Sequence, residues 1–92
     1  MENLQKFYIN GEWVDPLSDK TMAVVNPATE QQIGTVALGN AADVDRAVAA
    51  ANSAFENFSQ TNKDARLALL KKVKAITKTR FEHLAQAMRM EM

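Results

Sequence analysis

The last third of the chain, KDARLALLKKVKAITKTRFEHLAQAMRMEM, restricts its fold more than any other stretch. From Lys63 to Glu91 it holds no Gly, Pro or Asn, so it reads as helix throughout. An unbroken helix over 63–91 would be about 43 Å long at 1.5 Å per residue. A compact chain of this length is only about 32 Å across, from an expected radius of gyration of about 12 Å. The rod overhangs any body the sequence can build. Leu69, Leu70, Val73 and Ile76 form an apolar stripe that Phe81, Leu84 and Met88 carry on, with Thr77 and Arg80 diluting the middle. A slight break is therefore expected near Lys78 to Phe81, and the second half is expected to pack on something outside these residues. The helix also reaches Met92 without the Gly or Asn that commonly closes one. That points to the front piece of a longer protein.

The first forty residues read as two hairpins. Phe7-Tyr8-Ile9 and Glu12-Trp13-Val14 are short strand candidates around Asn10-Gly11, the pair that best tolerates the two positive φ angles of a type I′ turn. After the polar DPLSDK connection, Thr21 to Val25 is β-branched and apolar and stops at Asn26-Pro27. Gln32 to Leu38 matches it, and Pro27 cannot continue a ladder, so the turn begins there. Two such hairpins could form a small antiparallel sheet, and they need a surface to pack on, since an isolated hairpin is only marginally stable.

A helix then opens at Asn40. Asn is a good N-cap, and Asp43 and Asp45 place negative charge where the helix dipole favours it. Val44, Ala47, Val48, Ala51, Phe55 and Phe58 recur at three- and four-residue steps as one apolar face. SQTN breaks the pattern, and Thr61 or Asn62 caps the next helix. Strands over about 6–38 followed by helices over about 41–58 and 63–91 give an α+β order: two N-terminal β-hairpins, then two or three α-helices.

Composition removes several classes of function. Eleven basic residues balance eleven acidic ones, leaving no net field to attract nucleic acid or an anionic membrane. There is no cysteine, which excludes disulfides, Cys-ligated zinc and a thiol nucleophile in these residues. The N-terminus lacks the apolar core of a secretory signal, and no apolar run approaches the roughly 20 residues of a membrane span. The expectation is a cytoplasmic protein with neither nucleic-acid nor membrane partners.

No group of residues assembles a nucleophile, a base and an oxyanion donor. His83 is the one histidine, and Glu82 and Glu91 are spaced so that they do not share a helix face. A surface or packing role for His83 is favoured over a ligand role. Lys71, Lys72, Lys74, Lys78 and Arg80 read as a solvated face rather than a phosphate-binding patch. Tyr8 and Trp13 read as a cross-strand pair rather than a stacking platform. Gly34 and Gly39 lack the Lys-Ser/Thr that would complete a phosphate loop. Met88, Met90 and Met92 make an adaptable helix end.

The order of these signals carries a resemblance. YINGEWV, then VVNPATEQQIGTVALGNAADVDRAVAAANSAF, then ARLALLKKV and HLAQAM, is similar to the N-terminal segment of the NAD(P)-dependent aldehyde dehydrogenases. The likeness runs from about Phe7 to Met92 and rests on three parts. These are the Asn-Gly-Glu-Trp turn, the Asn-Pro-Ala-Thr followed by Ile-Gly, and the Asp-Val-Asp-Arg-Ala-Val helix with its downstream Arg and Leu.

The resemblance implies an incomplete part of an aldehyde dehydrogenase fold. It also implies a parent that oxidises an aldehyde to a carboxylic acid through a covalent thiohemiacetal, with hydride passing to NAD or NADP. The family's cysteine nucleophile, glutamate base, oxyanion-hole asparagine and nucleotide-binding strands have no counterpart here. No cofactor is expected to bind this chain alone. Its expected partner is the remainder of the dehydrogenase polypeptide, and its exposed helix face is expected to favour self-association. Some members hold a structural monovalent cation with backbone oxygens before the Asn-Pro turn and an acidic residue at a helix end. Val24 and Glu91 match those positions as part of an incomplete site, although Met88 stands where many members carry Glu. The competing reading is a stand-alone interaction or dimerisation module that docks through the stripe around Leu84 and Met88.

Overall fold

The computed structural model describes residues 3–92. Four short strands precede three helices: β1 (Phe7–Ile9), β2 (Glu12–Val14), β3 (Thr21–Val25), β4 (Gln32–Ala37), α1 (Ala41–Phe58), α2 (Lys63–Thr79) and α3 (Phe81–Glu91). Strands β1 and β2 pair antiparallel with Tyr8 opposite Trp13 and Ile9 opposite Glu12. Asn10 and Gly11 have φ of 55° and 78°, the two positive angles a type I′ turn demands. Across this hairpin the Tyr8 and Trp13 rings meet edge to face, with centroids 5.2 Å apart.

Strands β3 and β4 form the second hairpin, its register shifting between Val24 and Val25. The Asn26 side chain folds its turn, accepting the amides of Ala28 and Thr29 at 2.9 and 3.3 Å. Glu30 then takes a positive φ of 59°, and its amide donates to the Asn26 carbonyl at 2.8 Å.

The two hairpins expected from sequence are present, and each is a separate two-stranded sheet. They are tied instead at a point, where the Ala37 amide donates to the Leu4 carbonyl at 3.1 Å. Leu4 also packs so close to β4 that a Cβ on Gly34 would lie 2.7 Å from its Cδ1. That crowding holds Leu4 over the second hairpin, and it explains a glycine in mid-strand.

Helix α1 starts at an Asn40–Asp43 capping box, and α2 starts at Asn62, whose side chain accepts the Ala65 amide at 2.8 Å. The long C-terminal helix does break. Arg80 leaves helical geometry at φ −115°, ψ 16°, separating α2 from α3.

The closest packing is between neighbours in sequence: β1 with β2, β3 with β4 and, more sparsely, α2 with α3. Among the described residues no hydrophobic side chain is buried. The radius of gyration is 16.8 Å, against about 12 Å for a compact chain of this length. The apolar stripes of α1 and α2, which would form a core in an ordinary domain, face outward.

Candidate functional site

The one buried side chain among the described residues is an acid. Asp43 is 4% exposed. Local sequence puts it there: it is the third residue of α1, where a short carboxylate reaches back to the cap. Its Oδ2 accepts the Asn40 amide at 3.1 Å while its own amide donates to Asn40 Oδ1 at 3.0 Å. Its Oδ1 accepts the Leu17 amide at 2.8 Å, from the loop between β2 and β3. Arg46, one turn on, donates to the same carboxylate at 3.3 Å and to the Asp15 carbonyl at 2.8 Å. Two side chains of α1 therefore grip residues Asp15 and Leu17, and the strand layer meets the helix at a polar corner.

The Leu17 amide holds the Asp43 carboxyl below its ordinary range; burial opposes this, and the Asn40 amide, the Arg46 charge and the Ser18 amide reinforce it. The Leu17 and Asn40 amides and the Arg46 guanidinium all donate to the carboxylate, while Arg46 Nε is buried without a hydrogen-bond partner among the described residues.

Beside the corner runs a shallow apolar groove between the first hairpin and α1, about 360 Å³, lined by Phe7, Tyr8, Ile9, Gly39, Val44 and Ala47. It continues along Ala50, Ala51 and Ala54. A Cβ on Gly39 would lie 3.4 Å from the Phe7 ring, so Gly39 admits the aromatic floor of the groove. Beyond the groove the stripe of α1 lies open: Val44, Val48 and Phe58 are about half exposed, and Phe55 is 67% exposed. Leu69, Leu70, Val73 and Ile76 of α2 and Phe81, Leu84 and Met88 of α3 are exposed as well.

The residues weighed for chemistry lie on separate elements, and the two glycines take packing roles. His83 is exposed on α3. The lysines of α2 lie in solvent. Gly34 and Gly39 serve close approach rather than phosphate. Val24 sits half-buried in β3 opposite Gly34, and Glu91 ends α3 in solvent. No group of three or more His, Cys, Asp or Glu side chains converges among the described residues. Sequence reasoning missed Arg46 and the bridging role of Asp43. The signal for Asp43 was present, since an Asn–x–x–Asp pair at a helix start is a capping box. Nothing local pointed to Leu17 or Asp15.

The N-terminus of α1 follows a strand and a glycine; its Asp43 amide is taken by Asn40, and its first turn carries a buried carboxylate. No helix among the described residues is long and apolar enough to cross a membrane.

Comparison with known proteins covers almost the whole chain. The profile of the aldehyde dehydrogenase family matches residues 13–92. A Staphylococcus aureus protein (strain bovine RF122) named as an aldehyde dehydrogenase is 48% identical over 87 residues, 95% of this chain and 18% of the relative. Aldehyde dehydrogenase C of Pseudomonas syringae, solved as a cysteine-to-alanine variant with NAD+ and octanal, superposes with a TM-score of 0.96 at 50% identity. That match covers 98% of this chain and 19% of the solved one. An aldehyde dehydrogenase of Bartonella henselae gives a TM-score of 0.96 at 37% identity, over 100% and 19% of the respective chains. The chain thus spans under a fifth of the length of these relatives.

Proposed function

This chain belongs to the aldehyde dehydrogenase family, and we propose that it is the N-terminal scaffold of an NAD(P)-dependent enzyme that oxidises an aldehyde to a carboxylic acid. The observation that carries the reading is the uncovered helix surface. A segment that matches under a fifth of its relatives leaves the apolar faces of α1, α2 and α3 open. Apolar area of that extent is stabilised only when another surface removes it from water. The remainder of a dehydrogenase polypeptide is the surface that family membership supplies.

On this reading the chain's own contribution is positional. The Asp43–Arg46 corner sets the angle between the strand layer and α1, and the groove and stripes receive the rest of the enzyme. The thiol nucleophile belongs to that remainder, because these 92 residues contain no cysteine, and the base and the NAD(P) site are proposed to lie with it. The complexed relative, with NAD+ and octanal, supports NAD and an aliphatic aldehyde as the first pair to assay. The Val24 carbonyl and the Glu91 carboxylate would serve as two oxygen donors of a cation site. Hard cations gather about six or more oxygens, so the other donors would come from elsewhere in the enzyme.

A chimera tests the proposal. The matched segment of the Staphylococcus aureus relative is replaced by this chain in one polypeptide, and NADH formation from octanal and other aldehydes is followed. An active chimera, beside an inactive isolated chain, is the expected result. A folded but inactive chimera, or aldehyde oxidation by the isolated chain, overturns it.

A further inference from the structure

The chain holds seven asparagines, and the fold occupies or shields six of them. Asn26 accepts the Ala28 and Thr29 amides and precedes Pro27, which has no N–H. Asn40 and Asn62 cap α1 and α2 through their side chains. Asn52 and Asn57 lie inside α1, where the amide that follows each belongs to the helix ladder. Asn3 precedes Leu4, whose side chain is packed against Gly34. Asn10 differs on every count. It is exposed at the tip of the first hairpin, and nothing lies within 4 Å of where a Gly11 Cβ would be. Neither its carboxamide nor the Gly11 N–H has a hydrogen-bond partner among the described residues.

Those are the conditions under which a backbone nitrogen can attack its neighbour's side chain. The Gly11 nitrogen gives up its proton and bonds to Asn10 Cγ. The Cγ–Nδ2 bond breaks, and Nδ2 takes a proton and leaves as ammonia. The cyclic imide that results then takes up water. Opening at the Cγ–N bond gives aspartate; opening at the main-chain carbonyl gives isoaspartate, in which the chain runs through Cβ and Cγ. In sum, asparagine and water become aspartate or isoaspartate and ammonia, a covalent change that adds a negative charge. No oxidant, reductant or further reactant is required.

We propose that Asn10-Gly11 is a site of spontaneous deamidation gated by opening of the β1–β2 hairpin, and that its isoaspartate product keeps the hairpin open. In a type I′ turn ψ of the first central residue is about +30°, which directs the Gly11 nitrogen away from Asn10 Cγ. The folded turn is therefore protected, and the ring closes only after the strands part. Parting is frequent, because each strand has three residues and a hairpin so short is marginal on its own. The Tyr8–Trp13 ring contact is the clasp that opposes it. The two products then diverge. Asp-Gly serves a type I′ turn as Asn-Gly does, so the aspartate chain refolds. Isoaspartate adds a backbone carbon to a loop whose length fixes the register, so Tyr8 no longer faces Trp13. The groove beside α1 loses the wall that Tyr8 and Ile9 supply. This chemistry belongs to the chain's own backbone and stands apart from the enzymatic reading and from whatever covers the helix faces.

Peptide mapping of the full chain, aged at neutral and at mildly alkaline pH, tests it. Trypsin releases Phe7 to Lys20, whose single asparagine is Asn10. The expected result is a form of that peptide with NH replaced by O, accumulating before any change in the peptides that carry the other asparagines. It should form faster at the higher pH, because the Gly11 nitrogen must lose a proton, and should accept methyl groups from an isoaspartyl methyltransferase. Trp13→Ala removes the ring contact and speeds the reaction by about two- to tenfold, the loss of one aromatic pair read as more frequent opening. As isoaspartate rises, the near-ultraviolet circular dichroism of the Tyr8–Trp13 pair falls, whereas the Asn10→Asp chain keeps it. The proposal is overturned if Asn10 deamidates no faster than the other asparagines, if Trp13→Ala leaves the rate unchanged or lowers it, or if the isoaspartate form retains the aromatic signal.

Discussion

The Leu17 amide donates to Asp43 Oδ1 at 2.8 Å across twenty-six residues of sequence. Together with the Arg46 bond to the Asp15 carbonyl, this joins the strand layer to the first helix. In most domains that job falls to a hydrophobic core. Here a polar corner sets the geometry and leaves the apolar faces available to a second surface.

Replacing Asp43 by Ala removes the acceptor of both the Leu17 and the Asn40 amides. The expected outcome is loss of hydrogen-exchange protection at Leu17, with α1 itself retained through Asn40. Equal protection of Leu17 in both proteins would show that the carboxylate does not hold the loop.

The same group gives a pH dependence of known sign. The folded protein holds the Asp43 carboxyl below its ordinary value, so the folded state releases its proton more readily than the unfolded one. Its stabilising contribution is fully present above the unfolded value of about 3.9 and is lost as pH falls through the lower folded value. Leu17 protection should therefore be flat from neutral pH down to the ordinary carboxylate range and should fall only beneath it. A decline centred near neutrality would assign the effect to another group.

Gly11 and Gly34 predict opposite kinds of failure. Gly11 sits at φ 78° with empty space around its missing Cβ, so Gly11→Ala strains only the backbone, by about 1 kcal/mol. Gly34→Ala has ordinary backbone but must push Leu4 aside. The first should weaken the Tyr8–Trp13 aromatic signal in near-ultraviolet circular dichroism. The second should leave that signal intact and shift the Leu4 resonances.

The two helix caps differ in what they hold. Asn62→Ala removes a single side-chain acceptor at α2 and is expected to cost about 1 kcal/mol. Asn40→Ala removes the acceptor of the Asp43 amide while the Asn40 amide stays on Asp43 Oδ2; with half of the box gone Asp43 is held less firmly, so the change should cost more and should loosen Leu17 too. Equal losses, measured by urea titration, would separate the box from the corner.

Without a buried core the monomer should unfold with a small heat-capacity change. A folded domain of this length gives about 1.1–1.4 kcal/mol/K. Calorimetry under conditions that keep the chain monomeric is expected to fall well below that. A full-sized value would mean that the apolar faces are covered within one chain.

Local chemistry wrote itself plainly into the sequence. Asn10-Gly11 specified a turn because few residues tolerate two positive φ angles in succession. Asn40 and Asn62 marked helix starts because their short side chains reach amides two or three residues on. The weakened stripe at Thr77 and Arg80, with the length of the rod, located the break that the structure places at Arg80. The quoted motifs were specific enough to identify the family over most of the chain. Each of these readings depends on neighbours within a few residues.

Other features belonged to the tertiary structure. Periodicity marked the Val44–Phe58 stripe as apolar, but which way it faces depends on what lies against it, and among the described residues Val48, Phe55 and Phe58 stay open. Two adjacent hairpins could equally share one sheet; here they stay separate sheets, linked through Leu4 by its contact with Gly34 and the Ala37 bond. Asp43 was legible as a first-turn acid, whereas its grip on Leu17 was not. A hydrogen bond across twenty-six residues arises only once separate elements have docked, and the docking angle is not encoded in any short run of residues.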